Sequence, residues 1–340
     1  MVRPDLRSVV PDPLTTGIEL LAALGEASDP LAWVVVAVFL AAAVLEADDR
    51  PWARHVAVGA WVLFGVFWLT LIHHFAFVQK SLVEGVLTVV AVPACLSAGA
   101  LLWRGRDSLF VLTRSVAVMG LIVLPFEAVP FLRRTLIETV TAQTELLINL
   151  LGYHPEVVAG TTIEGWGIPA KEYPYHSTFL FYSESGDPLT LTIKLACTGL
   201  GSIAIFAGLI AAVDAPLSRK LRAFAVSVPV IYGLNLVRNV FIAVGFGTQQ
   251  LHVFPDLVMT LFAVESRVMV SYYVADRMIA QTLSVFVLVG ITWLVVRQLP
   301  EVLTVVEDAL YVLTRTEYDL EGAMGAPEVR ADGGPDRGDD

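Results

Sequence analysis

Apolar positions in this chain run together in long blocks instead of alternating with polar ones. Seven blocks, at 30–46, 55–79, 81–103, 108–130, 195–213, 221–245 and 272–298, reach or approach the roughly 20 residues that a helix needs to cross a bilayer core. An eighth stretch, 14–27, is shorter. The pattern predicts an all-α integral membrane protein of about eight transmembrane helices, carried by one polytopic domain over 1–320. Met1–Asp12 has no apolar run, so no cleavable signal peptide is expected.

Between the fourth and fifth of these long blocks the period changes. Thr135–Leu151 reads as an amphipathic helix, and Tyr153–His176 is rich in Gly, Pro and aromatic residues. Ser177–Tyr182 and Leu189–Leu195 then flank Ser-Glu-Ser-Gly-Asp-Pro at 183–188, a strong turn signal. Leu189, Leu191, Ile193 and Leu195 alternate with Thr190, Thr192 and Lys194, so a β-hairpin is expected here. A second hydrophilic segment covers 246–271. Residues 321–340 are acidic and Gly-rich without apolar period, which predicts a disordered cytoplasmic tail. There is no internal repeat.

Loop charge sets the orientation, because Lys and Arg are retained on the cytoplasmic side. Arg50/Arg54, Arg104/Arg106/Arg114, Arg219/Lys220/Arg222 and Arg297 all fall on one side if every block crosses once. That places the hairpin segment and 246–271 outside.

Composition agrees with the pattern. Of 340 residues 56% are hydrophobic and the mean hydropathy is +0.70, above the roughly 50% apolar content of soluble domains. The net charge of −11 lies outside the apolar blocks, and only Lys80, Lys171, Lys194 and Lys220 of the 22 basic residues are lysines. An acidic, lysine-poor chain suits a halophilic archaeon, whose proteins need a strongly hydrated surface. A GC-rich genome accounts for the Arg and Ala bias equally well. Two cysteines, Cys95 and Cys197, make no disulfide framework. No cofactor, metal or nucleic-acid partner is expected.

Orientation brings three residues to one face. Cys197 lies where the hairpin enters a helix, in a first turn whose dipole would favour a thiolate. Arg238 lies about two turns from the outer end of the next span, and Arg277 about one turn into the last. They are separated by 41 and 39 residues. An arginine in a spanning helix is costly and usually faces a cavity or partner. Gly201, Ala204 and Gly208 form a small-residue stripe below Cys197. Asn235 shares the face of Arg238, and Tyr273, Gln281 and Ser284 line that of Arg277.

Each of these has a plainer reading. A cysteine is often a small buried hydrophobe, and that reading fits Cys95 in Val92-Pro-Ala-Cys-Leu96, which has no polar neighbours. The two arginines could be snorkelling anchors. His73, His74, His154 and His176 read as interfacial structure, and Trp166, Tyr173 and Tyr175 as an aromatic belt. Arg133 and Arg134 either meet lipid phosphates or are solvated.

Leu195-Ala-Cys-Thr-Gly-Leu-Gly-Ser202, Asn235-Leu-Val-Arg-Asn239 and Ala275-Asp-Arg-Met278 resemble the three signature regions of the exosortase/archaeosortase family, over a core of about 60–300. The resemblance implies that Cys197 is a nucleophile, Arg238 the family arginine and Arg277 the third member. Bacterial relatives often have histidine there, so arginine points to the archaeosortase branch. It also implies the activity: a membrane-embedded cysteine transpeptidase of the cell membrane, with its active site near the extracellular face. Expected substrates are exported proteins ending in a tripartite signal of Pro-Gly-Phe motif, hydrophobic helix and basic end. The surface-layer glycoprotein is a candidate, and a membrane lipid is the expected acceptor. Arginine does not readily act as base or acid, so Asp276, Tyr273, His176 or water is left to handle protons. The rival class is a secondary transporter whose arginines bind an anionic solute. Such transporters are marked by repeats and midplane sites, which this pattern lacks.

Overall fold

The computed structural model describes residues 13–25, 27–79, 81–159, 174–183, 186–320 and 322. The expected tail at 321–340 and the residues Trp166 and Tyr173 lie outside them, apart from 322. The helices are α1 (Pro13–Gly25), α2 (Ser28–Ala47), α3 (Ala53–Val78), α4 (Leu82–Trp103), α5 (Asp107–Ala128) and α6 (Pro130–Leu150). Three strands follow: β1 (Glu156–Ala159), β2 (His176–Tyr182) and β3 (Pro188–Thr192). The chain continues through α7 (Leu200–Ala212), α8 (Leu217–Gly247), α9 (Pro255–Phe262), α10 (Arg267–Val296) and α11 (Val302–Thr314).

Among the described residues six helices, α2, α3, α4, α5, α8 and α10, are long and apolar enough to cross a membrane. The other two expected spans form the shorter α1 and α7, of 13 residues each. α7 is short because Gly199, at φ +80°, ends a 3-10 turn over Leu195–Thr198 and starts the helix afresh. Many large apolar side chains face outward, among them Leu87, Val89, Leu283, Phe286 and Val289. Water would penalise such a surface, and lipid would not.

Hydrocarbon gives no hydrophobic drive between helices, so close backbone approach has to hold the bundle. A Cβ on Gly208 of α7 would meet the Ser115 carbonyl of α5 at 2.5 Å, and one on Gly120 of α5 would meet Val36 of α2 at 2.5 Å. Gly65 packs on Cys95, and Gly99 on Trp61. Cys95 is buried in this apolar core, as its neighbours in sequence suggested.

The predicted hairpin is present, β2 pairing antiparallel with β3 from Thr178–Thr192 to Tyr182–Pro188. β1 adds to its free edge, so the sheet order is β1-β2-β3. The sheet rests on α6 and on the final turns of α8, where Phe179, Phe181, Leu189 and Ile193 meet Ile137, Val140, Val240 and Phe246. Gly247 is needed at this junction, since a Cβ there would overlap the Phe181 ring. Arg133 pairs with Glu127, and Arg134 with Glu138 at 3.0 Å.

The opposite end of α8 carries α11, which has no counterpart among the predicted elements. Arg219 pairs with Glu301, and Arg106 with Asp308 at 2.8 Å and Glu317 at 2.9 Å. The Arg106 guanidinium also stacks 3.9 Å from the Tyr311 ring. Its hydrogen bond holds the Glu317 carboxyl below the usual carboxylate range.

Candidate active site

The end of the bundle beneath the sheet gathers the three signature segments. Cys197 belongs to the 3-10 turn over Leu195–Thr198, three residues ahead of α7. It is therefore not in the first turn of a long helix, which corrects the dipole argument made from sequence. The turn is held locally: Cys197 N–H donates to Lys194 O at 2.9 Å, and the Thr198 hydroxyl donates to Leu195 O at 2.7 Å. Gly199 then takes a left-handed conformation that a side chain would resist. A Cβ there would also press on the Asn235 side chain at 3.1 Å.

α8 supplies the second wall. Asn235, Arg238 and Asn239 sit at i, i+3 and i+4, so they share one stripe of the helix. Both amides reach the same atom. Asn235 Nδ2 donates to the Cys197 carbonyl oxygen at 2.8 Å, and Asn239 Nδ2 donates to it at 2.9 Å. The cysteine is thus held by its main chain while its side chain stays partly exposed.

α10 supplies the third wall. Tyr273–Ala280 is a π-helical stretch inside this span, a wide turn that is common at functional sites. The changed spacing breaks the α-helical stripe read from Tyr273, Gln281 and Ser284. Tyr273 packs its ring on Phe262 of α9 at 4.8 Å. Gln281 Nε2 donates to Ser81 Oγ at 2.7 Å, and Ser284 bonds its own helix at Ala280 O.

Arg238 and Arg277 come together at Asp276. Arg238 is nine residues from the end of α8, and Arg277 ten residues into α10, because that helix starts at Arg267 and not near 272. Arg238 Nη2 donates to Asp276 Oδ1 at 2.6 Å. Arg277 Nε lies 3.4 Å from Asp276 Oδ2, and Arg277 Nη1 3.6 Å from Glu84 Oε2 of α4. Glu84 also accepts from Gln79. The Arg277 side chain is only 11% exposed, and its buried Nε has no hydrogen-bond partner among the described residues. Such a guanidinium points into the protein and does not snorkel to the interface.

Two arginines and two carboxylates therefore alternate in one cluster, with Tyr272 lying against Asp276 and packing in the same apolar cluster as Cys197. Of the proton-handling candidates named from sequence, Asp276 alone joins both arginines. His176 opens β2, with its N–H bonded to Glu138. Asn239, Tyr272 and Glu84 were missed. The i+4 spacing from Asn235 was a usable signal for Asn239; nothing in the sequence linked Glu84 to a residue almost 200 positions away. Among the described residues no group of three metal-ligating side chains occurs. His73 stacks on Phe77, and His154 bonds Asn149.

The model of the family described as transmembrane exosortase (Exosortase_EpsH) matches residues 26–266. The match takes in Cys197 and Arg238 and stops short of Asp276 and Arg277. The chain is 51% identical over 311 residues to archaeosortase A of Haloferax volcanii, covering 88% of this chain and 99% of that one. It is 42% identical over 289 residues to archaeosortase A of Natronomonas pharaonis, covering 84% of this chain and 89% of that one. No solved structure matches it. By this extent of match, the chain belongs to the transmembrane exosortase family.

Proposed function

We propose that this chain is a membrane-embedded cysteine transpeptidase that cuts a C-terminal sorting signal from exported proteins and joins the new carboxyl end to a membrane lipid. Cys197 is the nucleophile, and Arg238 and Arg277 are its electrostatic partners. One observation carries the reading: both amides that bind the Cys197 carbonyl sit on the stripe of α8 that also bears Arg238. Kinship with two archaeosortases over most of the chain supports it. The transporter alternative has no comparable support.

In this mechanism the Cys197 thiolate attacks the scissile carbonyl carbon. The amide C–N bond breaks as the thioester C–S bond stays, and the departing amine takes up the proton released when the thiol ionised. A lipid nucleophile then attacks the thioester and restores the thiol. Negative charge develops on the carbonyl oxygen in both halves. Arg238 engages Asp276 through one N–H, and its other donors have no partner among the described residues. They are suited to that oxyanion. The basic loops and the placement of the sheet support an outward-facing site in the cell membrane.

The test is direct. Purified chain in lipid nanodiscs is mixed with a reporter ending in a Pro-Gly-Phe motif, a hydrophobic helix and a basic end. Truncated product should appear, and mass spectrometry should find a hydroxylamine-sensitive acyl adduct on Cys197. Processing that proceeds with Cys197→Ala would sink the proposal.

A further inference from the structure

The acidic residue at the centre of the arginine cluster has no assigned part in the chemistry. Asp276 is 5% exposed, and its two oxygens address different arginines on different helices. Oδ1 accepts from Arg238 of α8 at 2.6 Å, and Oδ2 faces Arg277 Nε at 3.4 Å. Of these two arginines, the neighbouring charge of Glu84 reaches Arg277. Residues 276 and 277 both lie in the π-helical stretch of α10, and their side chains approach each other there. A buried carboxylate lacking such partners would be strongly disfavoured, so the pairing accounts for its presence in an apolar span.

We propose that Asp276 is a positioning residue for the transpeptidase, fixing the guanidinium of Arg238 so that its remaining donors stay aimed at the reacting carbonyl. This rests on the reading of Cys197 and Arg238 given above. A guanidinium is a planar fork with fixed donor directions. Holding one Nη at a carboxylate therefore fixes the plane of the rest. Without that hold Arg238 keeps its charge but loses its direction. Substrate binding, which does not need the oxyanion contact, is unaffected.

The experiment measures kcat and KM on the sorting-signal reporter, with turnover counted per enzyme recovered in the monodisperse size-exclusion peak so that only folded enzyme is scored. Asp276→Asn should lower kcat by about 10²-fold with KM unchanged, the loss expected when a reacting contact is misplaced by about an ångström. Adding Arg238→Lys to Asp276→Asn should lower kcat little further, because both changes remove the same orientation. Should Asp276→Asn fail to fold, Asp276→Glu decides: it keeps the charge, moves the carboxylate by one methylene and should also lower kcat. Wild-type kcat in whichever of these folds, or losses that simply multiply with Arg238→Lys, would overturn the assignment. Activity surviving Cys197→Ala in the same assay would instead mark failure of the underlying reading.

Discussion

The side-chain amide of Asn239 donates to the main-chain oxygen of Cys197 at 2.9 Å, and Asn235, one turn earlier on the same helix, donates to the same oxygen at 2.8 Å. A carbonyl oxygen has two lone pairs, so both can be used at once. The turn bearing the cysteine is thereby tied to the helix bearing Arg238.

Removing one amide should be tolerated better than removing both. Asn239→Ala or Asn235→Ala alone loses about 1 kcal/mol of net hydrogen bonding, roughly a fivefold fall in kcat/KM if it is felt at the reacting centre. The double substitution leaves the oxygen without a side-chain donor and should lose more than the product of the two. Reporter kinetics on the three variants decide this, and simple multiplicativity would mean that the amides act independently.

The two cysteines should behave oppositely. Cys197→Ser should fold and lose processing, since a serine hydroxyl without an adjacent base is barely ionised at neutral pH. Cys95→Ser should process normally, although it places a hydroxyl in the apolar core beside Gly65. Gel-shift processing of the reporter reads both, and near wild-type cutting by Cys197→Ser would refute the nucleophile assignment.

Gly199 is a sensitive point outside the charged cluster. Its φ of +80° costs an alanine about 1 kcal/mol or more, and the added Cβ presses on Asn235 at 3.1 Å. Gly199→Ala should therefore reduce activity and Tm together. Gly201, where a Cβ meets nothing within 4 Å, supplies the control: Gly201→Ala should leave both unchanged.

Much of this was legible in the sequence, and the residues show why the rest was not. The β2–β3 hairpin announced itself through strict alternation and a turn of Ser, Gly and Pro. β1 did not, because four residues joining a strand about 20 positions later leave no local period. Arg238 and Arg277 stood out as candidates because charge in an apolar run is conspicuous, and Cys197 because it lies where the hairpin enters a helix. Asp276 was visible but had no spacing argument, since the π-helical stretch departs from the 3.6-residue period used to assign faces. The start of α10 was misplaced for a related reason: its first turn includes Arg267, which reads as hydrophilic loop. α11 escaped notice because its 13 residues are too few for a span; Val302, Leu303 and Val305 bury in the bundle core, and ion pairs to Arg219 and Arg106 add to that hold.

Orientation in the membrane is open to labelling. Single cysteines at positions 250 and 218, in a cysteine-free background, lie beyond opposite ends of α8 or in its first turn. A membrane-impermeant maleimide on intact cells should mark 250 and spare 218. The reverse pattern would move the site to the cytoplasmic face.

The two arginines should respond differently to substitution because their settings differ. Arg238 uses one N–H on Asp276 and has others to offer. A lysine ammonium could meet Asp276 but could not hold a second acceptor in the same plane. Arg238→Lys should thus lose about 10²–10³-fold in kcat, near 2.7–4 kcal/mol, as for an oxyanion donor. Arg277 makes no short hydrogen bond, its closest carboxylate oxygens being 3.4 and 3.6 Å away. In the proposed mechanism its contribution is positive charge more than directed donation. An imidazolium can supply that charge, but only below its pKa, ordinarily about 6.5. The cationic form grows as pH falls, so Arg277→His should gain activity on acidification while Arg277→Ala stays inactive throughout. Processing is followed for both variants and wild type between about pH 5 and 8, the range in which histidine changes charge. Equal loss in Arg277→His and Arg277→Ala at every pH would show that charge alone does not suffice and that the guanidinium fork itself is required at this position.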